Sequence, residues 1–80
     1  MTREDASELV VRTLSEAFEI PRERLTDDAH LFNDLGIDSI DAVDLLARLG
    51  KTLGRRIPPE SFRSARSVGD VINAVAALDT

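Results

Sequence analysis

Eighty residues with no cysteine, one histidine and a formal net charge of −5 leave room for one domain around one core. They leave none for a core plus a deep catalytic cleft, which argues against an enzyme. Without cysteine the chain has no disulfide framework, thiolate nucleophile or thiolate metal ligand, so any thiol chemistry has to be imported. The charge is uneven: residues 1–50 hold twelve acids against five bases, residues 51–80 three against five. A negative field steers basic partners in and repels nucleic acid phosphates, so a nucleic acid partner is excluded, although solubility alone also asks for an acidic surface. The start Met1-Thr2-Arg3-Glu4-Asp5 lacks the basic and apolar regions of a signal peptide, and no apolar run reaches membrane-spanning length. The expectation is a cytoplasmic monomer with no membrane contact.

In chain order, Ala6, Leu9, Val10, Leu14, Ala17 and Phe18 have the spacing of one buried helix face, which predicts a helix from about Asp5 to Glu19, capped by Thr2 with Asp5. Pro21 interrupts it. The stretch to Leu35 is a long connection rich in Asp, with Leu25, Leu31, Phe32 and Leu35 as expected anchors on the core. A loop this long usually has a reason. A second helix is predicted from Ser39 to Thr52 with Gly54 as its stop, and Val43, Leu45, Leu46 and Leu49 are more apolar positions than one stripe needs, so some are less buried than others. After Pro58 only a short helix fits, about Pro59 to Ser64. A last helix begins near Ser67, capped by Ser67 with Asp70, and buries Val71, Ile72, Val75 and Leu78. No run alternates like a strand and no segment repeats. The fold expected is all-α, a small four-helix bundle of three principal helices plus one short helix, with a long loop between helices 1 and 2, forming a single domain over 1–80. Its small aliphatic side chains predict an ordinary filled core at rest.

The most informative stretch is Leu35-Gly36-Ile37-Asp38-Ser39-Ile40-Asp41-Ala42-Val43-Asp44-Leu45. It sets one serine at a loop-to-helix boundary: Gly36 releases the backbone, Asp38 before an apolar-periodic run signals a helix start, and Ser39 falls in the first turn. There its hydroxyl stands beside unpaired N–H groups at the positive end of the helix dipole, an environment that tolerates an attached phosphate. The plainer reading is that Asp38 with Asp41 forms a variant capping box and Ser39 is only solvated.

The flanking blocks decide between these. The triplet Asp38-Ser39-Ile40 resembles the attachment motif of acyl carrier proteins, whose serine carries 4′-phosphopantetheine. Leu31-Phe32-Asn33-Asp34-Leu35-Gly36 resembles the family's approach to its second helix, and Arg56-Ile57-Pro58-Pro59-Glu60 and Ser67-Val68-Gly69-Asp70-Val71-Ile72 resemble its approaches to the third and fourth. The resemblance covers nearly the whole chain. It implies a non-catalytic carrier that holds acyl or polyketide intermediates as thioesters on a phosphopantetheine arm at Ser39. The arm is donated by coenzyme A through a phosphopantetheinyl transferase, and Asp38 is a flanking motif residue. It also makes the second helix a docking surface, with Ile40 as the apolar contact and Asp38, Asp41 and Asp44 as charge contacts. Ile40, Val43 and Ala47 share a face with Ser39, and rim charges of this kind set association rate and selectivity.

The chain departs from the family's common pattern at Gly50, Lys51, Arg55 and Arg56, followed by Arg63 and Arg66, where many discrete carriers stay acidic. Arg55 and Arg56 therefore count as partner-binding candidates for enzymes with an acidic patch of their own. The wording from Asp38 to Leu45 and from Pro59 to Val68 resembles freestanding carriers of bacterial type II polyketide systems, including polyene-forming ones. That implies a ketosynthase, an acyltransferase or ligase, a ketoreductase and a dehydratase as partners; fatty-acid carriers are close behind. A peptidyl carrier is a rival, disfavoured by Gly36-Ile37-Asp38 and the acids of the second helix, and an unmodified helical interaction module is a rival of another class. A hydrolase using Ser39 and His30 lacks the nucleophile elbow Gly-x-Ser-x-Gly, which leaves His30 as a loop residue. One His, no Cys and acids off the calcium-loop spacing predict no metal.

Overall fold

The computed structural model describes residues 1–78, apart from the side chain of Ser61; the last two residues of the unit expected over 1–80 lie outside the described residues. Three α-helices, α1 (Arg3–Phe18), α2 (Ser39–Leu53) and α3 (Val68–Ala77), are joined by segments holding 3₁₀ turns at Arg22–Arg24 and Pro59–Phe62. The short helix expected at Pro59 to Ser64 is thus the second of these turns. Pro at its first position fixes φ but supplies no N–H, and no side chain caps it.

α1 begins two residues before the expected start at Asp5, because Thr2 Oγ1 accepts the Asp5 amide at 3.1 Å and starts the helix there. It ends at Glu19, which adopts the left-handed conformation (φ 56°). A non-glycine residue in that conformation costs about 1–2 kcal/mol, and burial of Ile20 on the following turn helps to offset it. α2 ends as expected at Gly54 (φ 69°), whose amide reaches Lys51 O while Arg55 N donates to Gly50 O at 3.0 Å, a Schellman closure.

The core is aliphatic. Leu9, Val10 and Leu14 of α1, Leu45 and Leu49 of α2, and Val68, Val71, Ile72 and Val75 of α3 are buried together with Ile20, Leu25, Ala29, Ile37 and Ile57 from the connections. Leu31, Leu35, Phe62 and Leu78 are only partly buried against this cluster. Phe32 is the exception among the expected anchors: it is 63% exposed. Its neighbour Leu31 faces the core, and Phe32 follows on a tight turn in which the Asp34 and Leu35 amides return to His30 O, so adjacent residues point opposite ways.

The long loop is held by the start of α3. A helix begins with four N–H groups that lack intrahelical acceptors, and here each is answered. Ser67 N donates to Asp70 Oδ2 at 3.1 Å, Val68 N to Ala29 O at 3.0 Å, Gly69 N to Asp27 O at 2.8 Å and Asp70 N to Ser67 Oγ at 3.1 Å. In the other direction Leu31 N donates to Arg66 O at 2.9 Å, completing an antiparallel bridge between His30 and Ser67. The expected capping box at Ser67 and Asp70 is present in both directions. On the far side Arg3 donates to Asp27 (2.9 Å) and Asn73 (2.8 Å), tying α1, the loop and α3.

Two predictions follow from this junction. A Cβ on Gly69 would stand 2.9 Å from Asp27 O and 3.3 Å from Asp27 Cβ. Gly69→Ala should therefore lower stability by about 1–2 kcal/mol, the overpacking cost outweighing a helix-propensity gain of up to about 1 kcal/mol. Denaturant unfolding checks this, and a rise in midpoint would contradict it. The Asp70 carboxyl is held below the usual aspartate range, chiefly by the Arg66 backbone N–H, then by Ser67 and the Arg66 charge. A group whose pKa is lowered by folding stabilises fully above its unfolded value and ceases to do so as pH falls through the folded one. The gap in melting temperature between the parent and Asp70→Asn should be full at neutral pH and close only below the ordinary aspartate range.

Candidate functional site

Ser39 is the first residue of α2, and its side chain is exposed. The preceding chain dictates this. With Leu31 bridged to Arg66, Ile37 N donates back to Leu31 O at 2.9 Å and Ile37 is buried. Gly36 makes the intervening turn at φ 70°, a conformation that strains other residues. One step beyond the buried isoleucine, Asp38 is extended; its Oδ1 accepts the Asp41 amide at 2.9 Å and its carbonyl the Ala42 amide at 2.9 Å. The helix starts at Ser39.

The starts of α2 and α3 differ in one respect that bears on chemistry. At α3 every first-turn amide has a partner. At α2 the amides of Ser39 and Ile40, and the Ser39 hydroxyl, donate to no acceptor among the described residues. The capping carboxylate of Asp38 is spent on the third amide. Two free donors at the positive end of a helix favour an anionic substituent on Ser39. This chain thus fits a serine-linked phosphate group at that position: the hydroxyl is accessible, unengaged and next to donors that nothing else uses.

Beside Ser39 runs an apolar cleft of about 190 Å³, lined by Leu31, Ile37, Val43, Leu46, Phe62 and Val71 among others. It follows from how α2 is held: its close approaches are to α1, with little to α3, so side chains of the loop and of the second 3₁₀ turn cover the opposite flank. The cleft reaches the core, since Ile37, Leu45 and Val71 among its lining residues are buried.

On the outer face, Ile40 is 78% and Val43 64% exposed, and Ala47 is exposed on the same stripe. None of the three is needed for the core. Asp41 is half-buried and Asp44 exposed. Asp44 pairs with Arg48 at 3.1 Å across one helical turn, an i,i+4 spacing readable from the sequence but not drawn on in the docking expectation. Such a pair is worth about 0.3–0.5 kcal/mol, and its effect is to soften the acidity of the middle of α2. Arg55 and Arg56 follow the end of the helix. Both are exposed; Arg55 Nη1 donates to Leu78 O, tying the ends of α2 and α3, whereas the Arg56 side chain has no partner among the described residues. His30 closes its own loop: its Nδ1 accepts the Asn33 amide at 3.0 Å and its amide donates to Asp34 Oδ2 at 2.7 Å. Among the described residues no cluster of three His, Cys, Asp or Glu could hold a metal ion, and no helix is long and apolar enough to cross a membrane.

Residues 8–75 match the family described as the phosphopantetheine attachment site. The chain is similar to acyl carrier protein 2 of Ralstonia nicotianae, 50% identical over 78 residues that cover 98% of this chain and 96% of the relative. It is 35% identical to the acyl carrier protein of Saccharopolyspora erythraea over 98% of this chain and 82% of that one. Among solved structures, the acyl carrier protein of Enterococcus faecalis superposes with a TM-score of 0.74 at 27% identity, covering 96% of this chain and 98% of the other. A free serine at the start of α2, an apolar cleft beside it and a family match over most of the length make the chain a member of the acyl carrier protein family, a phosphopantetheine-bearing carrier rather than a catalyst.

Proposed function

We propose that Ser39 carries the 4′-phosphopantetheine arm and that the chain, as one cytoplasmic carrier domain, presents acyl or polyketide intermediates to the enzymes of a type II polyketide system. The observation that carries the site is the pair of unused amides, Ser39 N and Ile40 N, beside an unengaged hydroxyl. The bound arm supplies the terminal thiol that the chain itself lacks. What the protein contributes is position. Asp38 starts the helix so that Ser39 points outward, and the helix dipole stabilises the phosphodiester against the repulsion of Asp38 and Asp41.

The exposed stripe of Ile40, Val43 and Ala47, with Asp41 and Asp44 beside it, is the docking face for the transferase and the partner enzymes. An exposed isoleucine one residue from the attachment point offers a shallow pocket something to hold, while the acids speed encounter with basic surfaces. Contacts of this size release readily, as a carrier must after each step. The polyketide assignment rests on the wording of residues 38–45 and 59–68 and on the cations Lys51, Arg55 and Arg56, which break the acidic surface beyond Asp44.

Incubation with coenzyme A, Mg²⁺ and a broad-specificity phosphopantetheinyl transferase should add one phosphopantetheinyl group to the parent and none to Ser39→Ala, read by intact mass. Failure of the parent to gain mass beside a modified control carrier would return Ser39 to a plain helix-start residue. The modified protein should then be turned over by a ketosynthase of a type II polyketide system about tenfold faster than by a fatty-acid ketosynthase, a difference of roughly 1.4 kcal/mol. The reverse order would assign the chain to fatty-acid synthesis.

A further inference from the structure

From Val43 to the end of α2 runs a second groove, of about 520 Å³, against about 190 Å³ for the cleft at the serine. Its floor is apolar, built from Val43, Leu46, Ala47 and Ile57, and its rim is Lys51, Arg55 and Arg56. The groove exists because of Gly50. A Cβ there would stand 2.7 Å from Arg55 O and 3.7 Å from Ile57 Cγ1, so only glycine lets the chain fold back after Gly54 and lay residues 55–57 along the helix. Among the described residues no carboxylate pairs with Lys51, Arg55 or Arg56; the one bond from Arg55 is to the Leu78 carbonyl.

We propose that this groove receives an amphipathic helical segment of a partner enzyme, with aliphatic side chains set on the groove floor and aspartate or glutamate side chains facing Lys51 and Arg56. The inference rests on the carrier reading, and it names the chemistry of the partner at that end of the docking face. Three cations around one concavity repel one another, and incoming carboxylates relieve that repulsion while the floor gains apolar contact. The two ends of α2 recognise separately. Asp41 and Lys51 stand ten residues apart on the helix, roughly 15 Å, which is nearly twice the screening length of about 8 Å at physiological salt. A partner is thereby oriented along the helix: basic where it meets Asp38 and Asp41, acidic where it meets Lys51 and Arg56. A concave site with carboxylates on the same face suits a protein segment better than an anionic bilayer, which those carboxylates would repel.

The test uses the full chain, unmodified and phosphopantetheinylated, titrated with a helical peptide of alternating Leu-Leu and Glu-Glu pairs while amide resonances are followed. The expected result is saturable shifts at Val43, Ala47, Lys51 and Ile57 that weaken as salt is raised, with Lys51→Glu/Arg56→Glu weakening binding about tenfold and taking up the Lys-for-Glu peptide instead. Arg55 is left intact in that variant because it ties α2 to α3. Absence of shifts with the acidic peptide overturns the inference. So does equal binding of a peptide with the same composition but no apolar face, or a response to phosphatidylglycerol vesicles alone. The mass gain at Ser39 separates the two readings: a chain that is modified but ignores the peptide loses only the groove, whereas a chain that binds the peptide but takes up no arm loses the carrier assignment.

Discussion

The hydrogen bonds between the start of α3 and the loop that follows α1 are the constraint on which the rest of the molecule depends. Val68 and Gly69 donate to Ala29 and Asp27, and Leu31 donates to Arg66. A segment of twenty residues without long secondary structure has a large conformational entropy to lose, and its buried side chains Ile20, Leu25, Ala29 and Ile37 are spread along it. It is ordered because the unsatisfied amides of a helix end and the loop carbonyls meet each other's needs at close range. Gly69 permits that approach. From Leu31 the order passes to Ile37 and then to Asp38, so the position of Ser39 is set by a junction formed largely at the far end of the chain.

The geometry separates two demands that could have conflicted. The phosphate ester proposed at Ser39 would call for positive potential, and the proposed docking on basic enzymes for negative potential over the same helix. The helix dipole and the two free amides act within a few ångströms of the serine, whereas the carboxylates of Asp41 and Asp44 act outward through solvent. Asp38 serves both ends: as the cap it is neutralised locally by the Asp41 amide, yet it still adds to the field seen at a distance. Because Asp44 is shared with Arg48, the acidic character is concentrated at the serine end, and the opposite end is basic.

Packing explains why the cavities lie where they do. α2 leans on α1 and stands off from α3, and the space left is closed by a 3₁₀ turn and partly buried side chains such as Phe62 and Leu31. Val43, Leu46 and Pro59 line both the serine cleft and the groove behind Gly50, so the two concavities share a wall. Small aliphatic residues make such a wall: they bury enough area to hold the bundle without the interlocking that larger rings would impose.

The sequence by itself determined the elements whose causes are local. Thr2, Ser67 with Asp70, Asp38 and Gly54 mark helix ends through bonds within a few residues, and each does so in the structure. The serine, its motif and the exposed stripe at Ile40 and Val43 were legible for the same reason, since a helical period fixes which residues share a face. Tertiary structure alone decided the rest. Phe32 reads as an anchor but points outward, because the bridge at His30 turns Leu31 inward. Ala29 and Ile37 read as loop but are buried. Arg55 and Arg56 read as equals and both are exposed, yet only Arg55 is tied to the end of α3. Glu19 carries no sign of the left-handed turn it makes. At Phe32 and Arg55 the deciding contact joins residues far apart in the chain, Leu31 with Arg66 and Arg55 with Leu78, and no local pattern encodes it.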